Sequence, residues 1–194
     1  MARAGLTAER LAQAGAELAD SIGFERVTVA ELARRFGVKP ASLYSHVHGT
    51  VDLKTRIALI ALEELADRVA DAVAGRSRKA ALAGLGNAYR LYAQQHPGRF
   101  TAAHERLTPE AAASSAGPRH ANMMRSILRG YSLSDADKTH AVRMIGSTFQ
   151  GFVTLESHGG FDHSSPSSNE SWERIIEALH SLLSSWPAAT PAGA

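Results

Sequence analysis

The sequence predicts an all-α fold, and three observations carry that prediction. Apolar residues recur at spacings of three and four wherever a pattern exists, no stretch sustains the apolar-polar alternation of a half-buried strand, and glycine, proline and capping residues cut the pattern into segments of helical length. With 194 residues, 44% of them hydrophobic and 21% charged, the chain has ordinary globular usage and enough length to bury a sizeable core.

A first helix is expected from about Thr7, with Leu11, Ala14, Leu18 and Ile22 as its stripe and Gly23 as its left-handed stop. Thr28-Val29-Ala30-Glu31 reads as a capping box opening a short second helix, whose buried face is Leu32, Ala33 and Phe36. Gly37 interrupts it, and Pro40 is placed to open a third helix through about Val47. Gly49-Thr50 restarts a longer fourth helix, which carries Leu53, Ile57, Ile60, Leu62, Leu65, Val69 and Val73 on its core side and ends at Gly75. Leu82, Leu85, Tyr89 and Tyr92 mark a fifth, closed by His96-Pro97-Gly98 because proline disfavours helix in the residue before it. A sixth short helix reaches about His104. The stretch from Leu107 to Pro118, rich in Ala, Ser and Pro, fits a loop, a poorly ordered segment or a ragged helix start.

Met124, Ile127, Leu128 and Tyr131 predict a seventh helix, and Ser134-Asp135-Ala136-Asp137 caps an eighth that runs to Gly159-Gly160. The eighth is apolar on two sides: Ala141, Ile145, Thr148, Phe152 and Leu155 share one face, and Val142, Phe149 and Val153 another. After a serine-rich connection, the ninth carries a wide stripe from Trp172 to Trp186. Pairing these two helices with their symmetry mates would cover both stripes, so Phe152, Leu155, Trp172, Ile175, Ile176, Leu179 and Leu183 are expected at a homodimer interface. The expected division is an N-terminal domain over residues 1–50, continuing into a connecting helix to about 74, a C-terminal helical bundle over 76–186, and a disordered tail over 187–194.

Several function classes find no support. Cysteine is absent, which removes disulfides, thiol nucleophiles and thiolate metal sites. No run of about 18 apolar residues offers a membrane span, and Met1-Ala2-Arg3-Ala4-Gly5 lacks an apolar signal core, so a cytoplasmic protein is expected. The nine histidines are scattered without a His-Glu-x-x-His pair, and no Gly-x-Ser-x-Gly elbow is present. His46 with His48, and His158 with Asp162 and His163, read as exposed polar residues. Gly84-Leu85-Gly86 lacks both a third glycine and a preceding strand. No catalytic group, metal site or cofactor is expected.

The span from Thr28 to Val47 has the grammar of a helix-turn-helix: a short helix, a glycine-containing turn, and a second short helix with small and polar outward residues. The formal charge is only +2, but Arg34, Arg35, Lys39, Lys54 and Arg56 fall in this stretch and its continuation, which predicts a local basic surface. Gly37-Val38, followed by Ser42-Leu43-Tyr44 and His46-Val47, resembles the DNA-binding signature of TetR-type regulators, and the resemblance extends over residues 7 to about 65. It implies a bacterial transcriptional regulator, a repressor that binds palindromic double-stranded operator DNA as a homodimer and is released by a small-molecule effector.

The physical reading of the residues agrees. A recognition segment must enter a major groove about 12 Å wide, and Lys39, Pro40, Ala41 and Ser42 are small or polar enough to face base edges. Tyr44 and His46 carry hydrogen-bonding tips suited to phosphate oxygens, Thr28 and the amides of its helix start suit another phosphate, and Leu43 and Val47 are expected to point inward. One position departs from the family, which commonly has a lysine phosphate contact where this chain has Thr50. Lys54 or Arg56 is expected to compensate.

Phe149-Gln150-Gly151-Phe152-Val153-Thr154-Leu155-Glu156 is in turn similar to a TetR subgroup with a Gly-Phe-Val-x-Leu-Glu segment. An effector cavity would draw on Tyr89, Tyr92, Phe100, Met123, Met124, Ile127, Met144 and Phe149, the same residues that would otherwise fill a core. Two rival readings stand beside the regulator: an all-helical dimeric interaction protein without DNA affinity, and a small helical enzyme.

Overall fold

The computed structural model describes residues 5–187, and these are helical throughout: nine α-helices and two short 3-10 segments, with no strand among the described residues. The helices are α1 (Ala8–Ile22), α2 (Val29–Phe36), α3 (Thr50–Val73), α4 (Arg78–Gln95), α5 (Pro97–Ala103), α6 (Pro109–Ser114), α7 (Gly117–Leu128), α8 (Asp135–Ser157) and α9 (Ser168–Ser184). The 3-10 segments are Phe24–Arg26 and Pro40–Ser42. No helix among the described residues is long and apolar enough to cross a membrane. Apart from Pro187, the expected tail lies outside the described residues.

Local chemistry sets the boundaries. Thr7 and Ser134 turn their hydroxyls onto Arg10 N–H (3.2 Å) and Asp137 N–H (3.1 Å). The full capping box lies at α9, where Ser167 Oγ accepts from Glu170 N–H and the Glu170 carboxylate accepts from Ser167 N–H (3.0 Å). At α2 the expected box is only half made. Thr28 Oγ1 accepts from Glu31 N–H (3.1 Å), but the Glu31 carboxylate turns to Arg34, a charged partner one turn along.

Two other expectations are corrected and one open stretch is resolved. The open stretch from Leu107 to Pro118 holds α6, capped by Thr108 on Ala111 N–H (3.3 Å), and the start of α7. The seventh helix therefore begins at Gly117, with Pro118 in its first turn, and Tyr131 falls beyond its end. The third expected helix, Pro40 to Val47, is a 3-10 turn over Pro40–Ser42 followed by turns through His46. Its bonds run Ser42 N–H to Lys39 O, Leu43 N–H to Pro40 O and His46 N–H to Leu43 O, and Val47 N–H to Leu43 O alone has α-helical spacing. The segment, between Gly37 (φ +64°) and Gly49 (φ +99°), is held by the buried Leu43 and Val47.

The chain packs as two compact units, one of residues up to Arg68 together with Arg90–His120, the other of Val69–Tyr89 with the residues from Ala121 onward. In the first, α5 presses onto the end of α1 so closely that a Cβ on Gly98 would lie 2.1 Å from the Ala19 carbonyl, so that position tolerates glycine alone. Beside this contact Asp20 accepts Arg99 N–H (2.9 Å) and pairs with Arg99 Nε (3.1 Å), while the other end of the guanidinium donates to both oxygens of Glu64 (3.0 and 3.1 Å). Tyr92, fully buried, donates to the same Glu64 (2.9 Å); burial and then the Glu64 charge raise its phenol pKa and keep it a donor. Arg68, which can only donate, meets His96 Nε2 (3.1 Å), so His96 presents its Nδ1–H to Asp20 (3.1 Å).

In the second unit Trp172 is buried, its Nε1–H on Asn87 Oδ1 (2.7 Å) and its ring 5.1 Å from Phe149 and 5.0 Å from Phe152. Arg78 reaches Gly130 O (2.6 Å) and Ser184 Oγ (3.2 Å) and lies over the Tyr131 ring, tying together the beginning of α4, the turn after α7 and the end of α9.

Candidate nucleic-acid interface

The segment from Thr28 to Thr50 is built outward from its core. Leu32, Leu43 and Val47 are fully buried, and Ala33 is nearly so, small enough to let the turn close against α2. Gly37, at φ +64° and ψ +30°, takes the left-handed position that ends α2, and Val38 N–H returns to Ala33 O (3.0 Å). Lys39 is extended, as the residue before a proline is biased to be. With Leu43 and Val47 drawn inward, the side chains before and between them turn out: Lys39, Pro40, Ala41, Ser42 and Ser45 are exposed, Tyr44 is 54% exposed, and His46 is half-buried. An aromatic that open, flanked by a fully buried leucine, is presented by the backbone and not stranded by poor packing.

The residues expected at the DNA thus divide. Lys39, Pro40, Ala41, Ser42, Tyr44 and His46 lie on one short segment whose outward side they form around the buried Leu43. Thr28 is half-buried and Thr50 reaches back into the fold: Thr50 Oγ1 accepts from Val29 N–H over 3.4 Å, Thr28 Oγ1 takes Glu31 N–H, and Thr28 O takes Leu32 N–H. Three of the amides at the start of α2 are therefore satisfied within the chain. Lys54 pairs with Glu25 (3.2 Å) and lies 4.8 Å from the centre of the Phe24 ring.

The expected local basic surface needs the same correction. Arg34 pairs with Glu31, Arg35 with Glu17 (2.6 Å), and Arg56 with Asp52 (3.0 Å). Positive charge is present, but most of it stands beside a carboxylate of the same chain, which composition cannot show.

The other expected sites are placed as follows. Of the cavity residues, Tyr92 and Phe100 belong to the first unit and are buried there. Tyr89, Met123, Met124, Ile127, Met144 and Phe149 belong to the second, with Tyr89, Met123 and Met144 half-buried. Of the dimer residues, Phe152, Trp172, Ile176, Leu179 and Leu183 are covered by their own chain, Ile175 is half-buried, and Leu155 is 55% exposed. Leu182, within the apolar stripe of the ninth helix but not among the expected interface residues, is 39% exposed; the pattern did not single out the Asp20, Glu64 and Arg99 cluster, whose members lie far apart in the chain.

A capped short helix, a glycine turn and an outward polar segment anchored by two buried aliphatics define a helix-turn-helix, the reading head of a sequence-specific DNA-binding regulator. Comparison with known proteins agrees. Residues 11–46 match the family described as "Bacterial regulatory proteins, tetR family", and residues 82–179 match "Tetracyclin repressor-like, C-terminal domain". An HTH-type transcriptional regulator of Mycobacterium tuberculosis is 30% identical over 82% of this chain and 74% of its own length, and YobS of Bacillus subtilis, also named as an HTH-type transcriptional regulator, is 29% identical over 91% and 88%. Among solved structures, a TetR variant from Acinetobacter baumannii in complex with minocycline shares the fold at a TM-score of 0.71, with 16% identity over 95% of this chain and all of that one. The chain belongs to the TetR family of transcriptional regulators.

Proposed function

We propose that the protein is a cytoplasmic repressor that binds a palindromic operator as a homodimer and leaves it when a small molecule enters its C-terminal domain. The observation that carries the DNA reading is the outward segment Lys39 to Tyr44 on its buried Leu43 and Val47 anchors, with Ser42 offered to base edges and Tyr44 and His46 to phosphates. On this reading residues 1–50 form the DNA-binding domain, residues to about 74 connect it, and residues 76–186 form the effector and dimerisation domain. Leu155, Ile175 and Leu182 leave apolar surface on α8 and α9 for the second copy, while the Phe152, Trp172, Ile176, Leu179 and Leu183 cores stand behind it. Tyr89, Met123 and Met144, half-buried and apolar with one hydroxyl, suit a largely apolar effector. Release follows if the effector favours a state in which the two reading segments no longer match major grooves about 34 Å apart.

A gel shift on DNA from the region upstream of the protein's own gene tests the reading. A sequence-selective shift is expected, weakened in both Tyr44→Ala and Ser42→Ala; no shift at low salt would favour a dimeric interaction protein instead.

A further inference from the structure

The charges around the helix-turn-helix are unequally committed. Arg34, Arg35 and Arg56 each hold a carboxylate of their own chain, and Asp52, the partner of Arg56, also accepts His48 N–H (2.8 Å). Lys54 is held most firmly: it pairs with Glu25, donates to the Glu25 carbonyl (3.3 Å), lies over the Phe24 ring, and is only 21% exposed. Arg10 stacks over Phe36, and Arg26 donates to the Ile22 carbonyl. Lys39 differs from all of these. It is exposed on the extended residue just before Pro40, and among the described residues no carboxylate, ring or carbonyl engages it.

Resting on the DNA-binding reading above, we propose that Lys39, expected from the sequence at base edges, is instead the cation through which this helix-turn-helix grips the DNA backbone, and that Thr50 and Lys54, the latter expected as a phosphate contact, are positioning residues. Phosphate affinity is gained by releasing counterions, and a cation already neutralised by an adjacent carboxylate has few to release. A phosphate brought to Arg34 also meets Glu31 within the same pair, so attraction and repulsion offset one another. Lys39 carries no such offset. Thr50 and Lys54 instead fasten the start of α3 to Val29 at the head of α2 and to the Phe24–Arg26 turn, which fixes the direction in which the reading segment is presented.

The salt dependence of binding separates the two roles. On the operator duplex identified by gel shift, a dimer with one free lysine per subunit should show a slope of log K against log salt near −2, from about −0.9 per neutralised phosphate. Lys39→Ala should remove most of that slope, and Lys39→Arg should restore it. Lys54→Ala and Thr50→Val should weaken binding at every salt concentration with the slope unchanged, and Thr50→Ser should recover the loss. Melting curves of each variant identify any affinity lost to unfolding. An unaltered slope in Lys39→Ala, or an equal fall in Lys54→Ala, would overturn the assignment while the native shift still upheld DNA binding. If the native chain shifts no DNA, both readings fall together.

Discussion

Two regions of the first compact unit are rich in ion pairs and use them differently. At the contact between α1 and α5, Arg99 is 11% exposed and Asp20 18%; Arg99 also pairs with Glu64, which Tyr92 bonds in turn, and Asp20 also meets His96. Around the helix-turn-helix, Arg34 is 74% exposed and its pair with Glu31 spans one helical turn. A charge taken out of water must keep its partner, because losing one leaves the other uncompensated at a cost of about 3–5 kcal/mol, whereas an exposed pair is worth about 0.2–1 kcal/mol. The first network holds the reading domain's first helix to α5; the second mainly sets how much free charge the reading surface offers.

Breaking the buried network should give the largest effect. Arg99→Ala is expected to lower unfolding free energy in urea by about 3–5 kcal/mol, since it takes the cation from Asp20 and Glu64 and leaves them only neutral hydrogen-bond donors. Retention of native stability would mean that these carboxylates are solvated well enough to stand alone.

The pH dependence of stability sharpens the same contrast. His120 in α7 is 8% exposed, and burial, followed by the nearby His104 and Arg119, pushes its pKa down to about 4. Above pH 6.5 it is neutral in both folded and unfolded chains and adds no pH dependence. Between about 6.5 and 4 the unfolded chain takes up the proton first, so stability should fall with falling pH, by on the order of 3 kcal/mol from this group, and level off below. His120→Gln should flatten that part of the profile; an unchanged slope would assign the loss to other groups.

Smaller effects are expected nearer the surface. Thr28→Ala removes the cap on Glu31 N–H and should cost about 1 kcal/mol. Arg34→Ala should leave urea stability within about 0.5 kcal/mol of the native chain. A cost for Arg34→Ala comparable with Arg99→Ala would erase the distinction between the two regions.

Much of this was legible in the sequence, because helices announce themselves locally. Thr7, Gly23, Ser134 and the spacing of Leu11, Leu18, Leu53 and Ile57 act within a turn or two of themselves, and the helix-turn-helix is a continuous segment whose buried Leu43 and Val47 follow from its pattern. What was not legible depends on partners distant in the chain. Asp20 meets Arg99 only because Gly98 lets α5 touch the α1 backbone, Thr50 meets Val29 across the intervening turn, and Arg35 meets Glu17 on another helix. The same limit applies to the apolar stripe of α9, which shows that Trp172 and Leu183 need cover without showing that their own chain supplies it.

Footprinting of the native chain on its own upstream DNA tests the central claim most directly. The account predicts two protected half-sites about 34 Å apart, one helical turn centre to centre, both lost in Tyr44→Ala. Protection without two-fold spacing, or a footprint that Tyr44→Ala leaves intact, would contradict it.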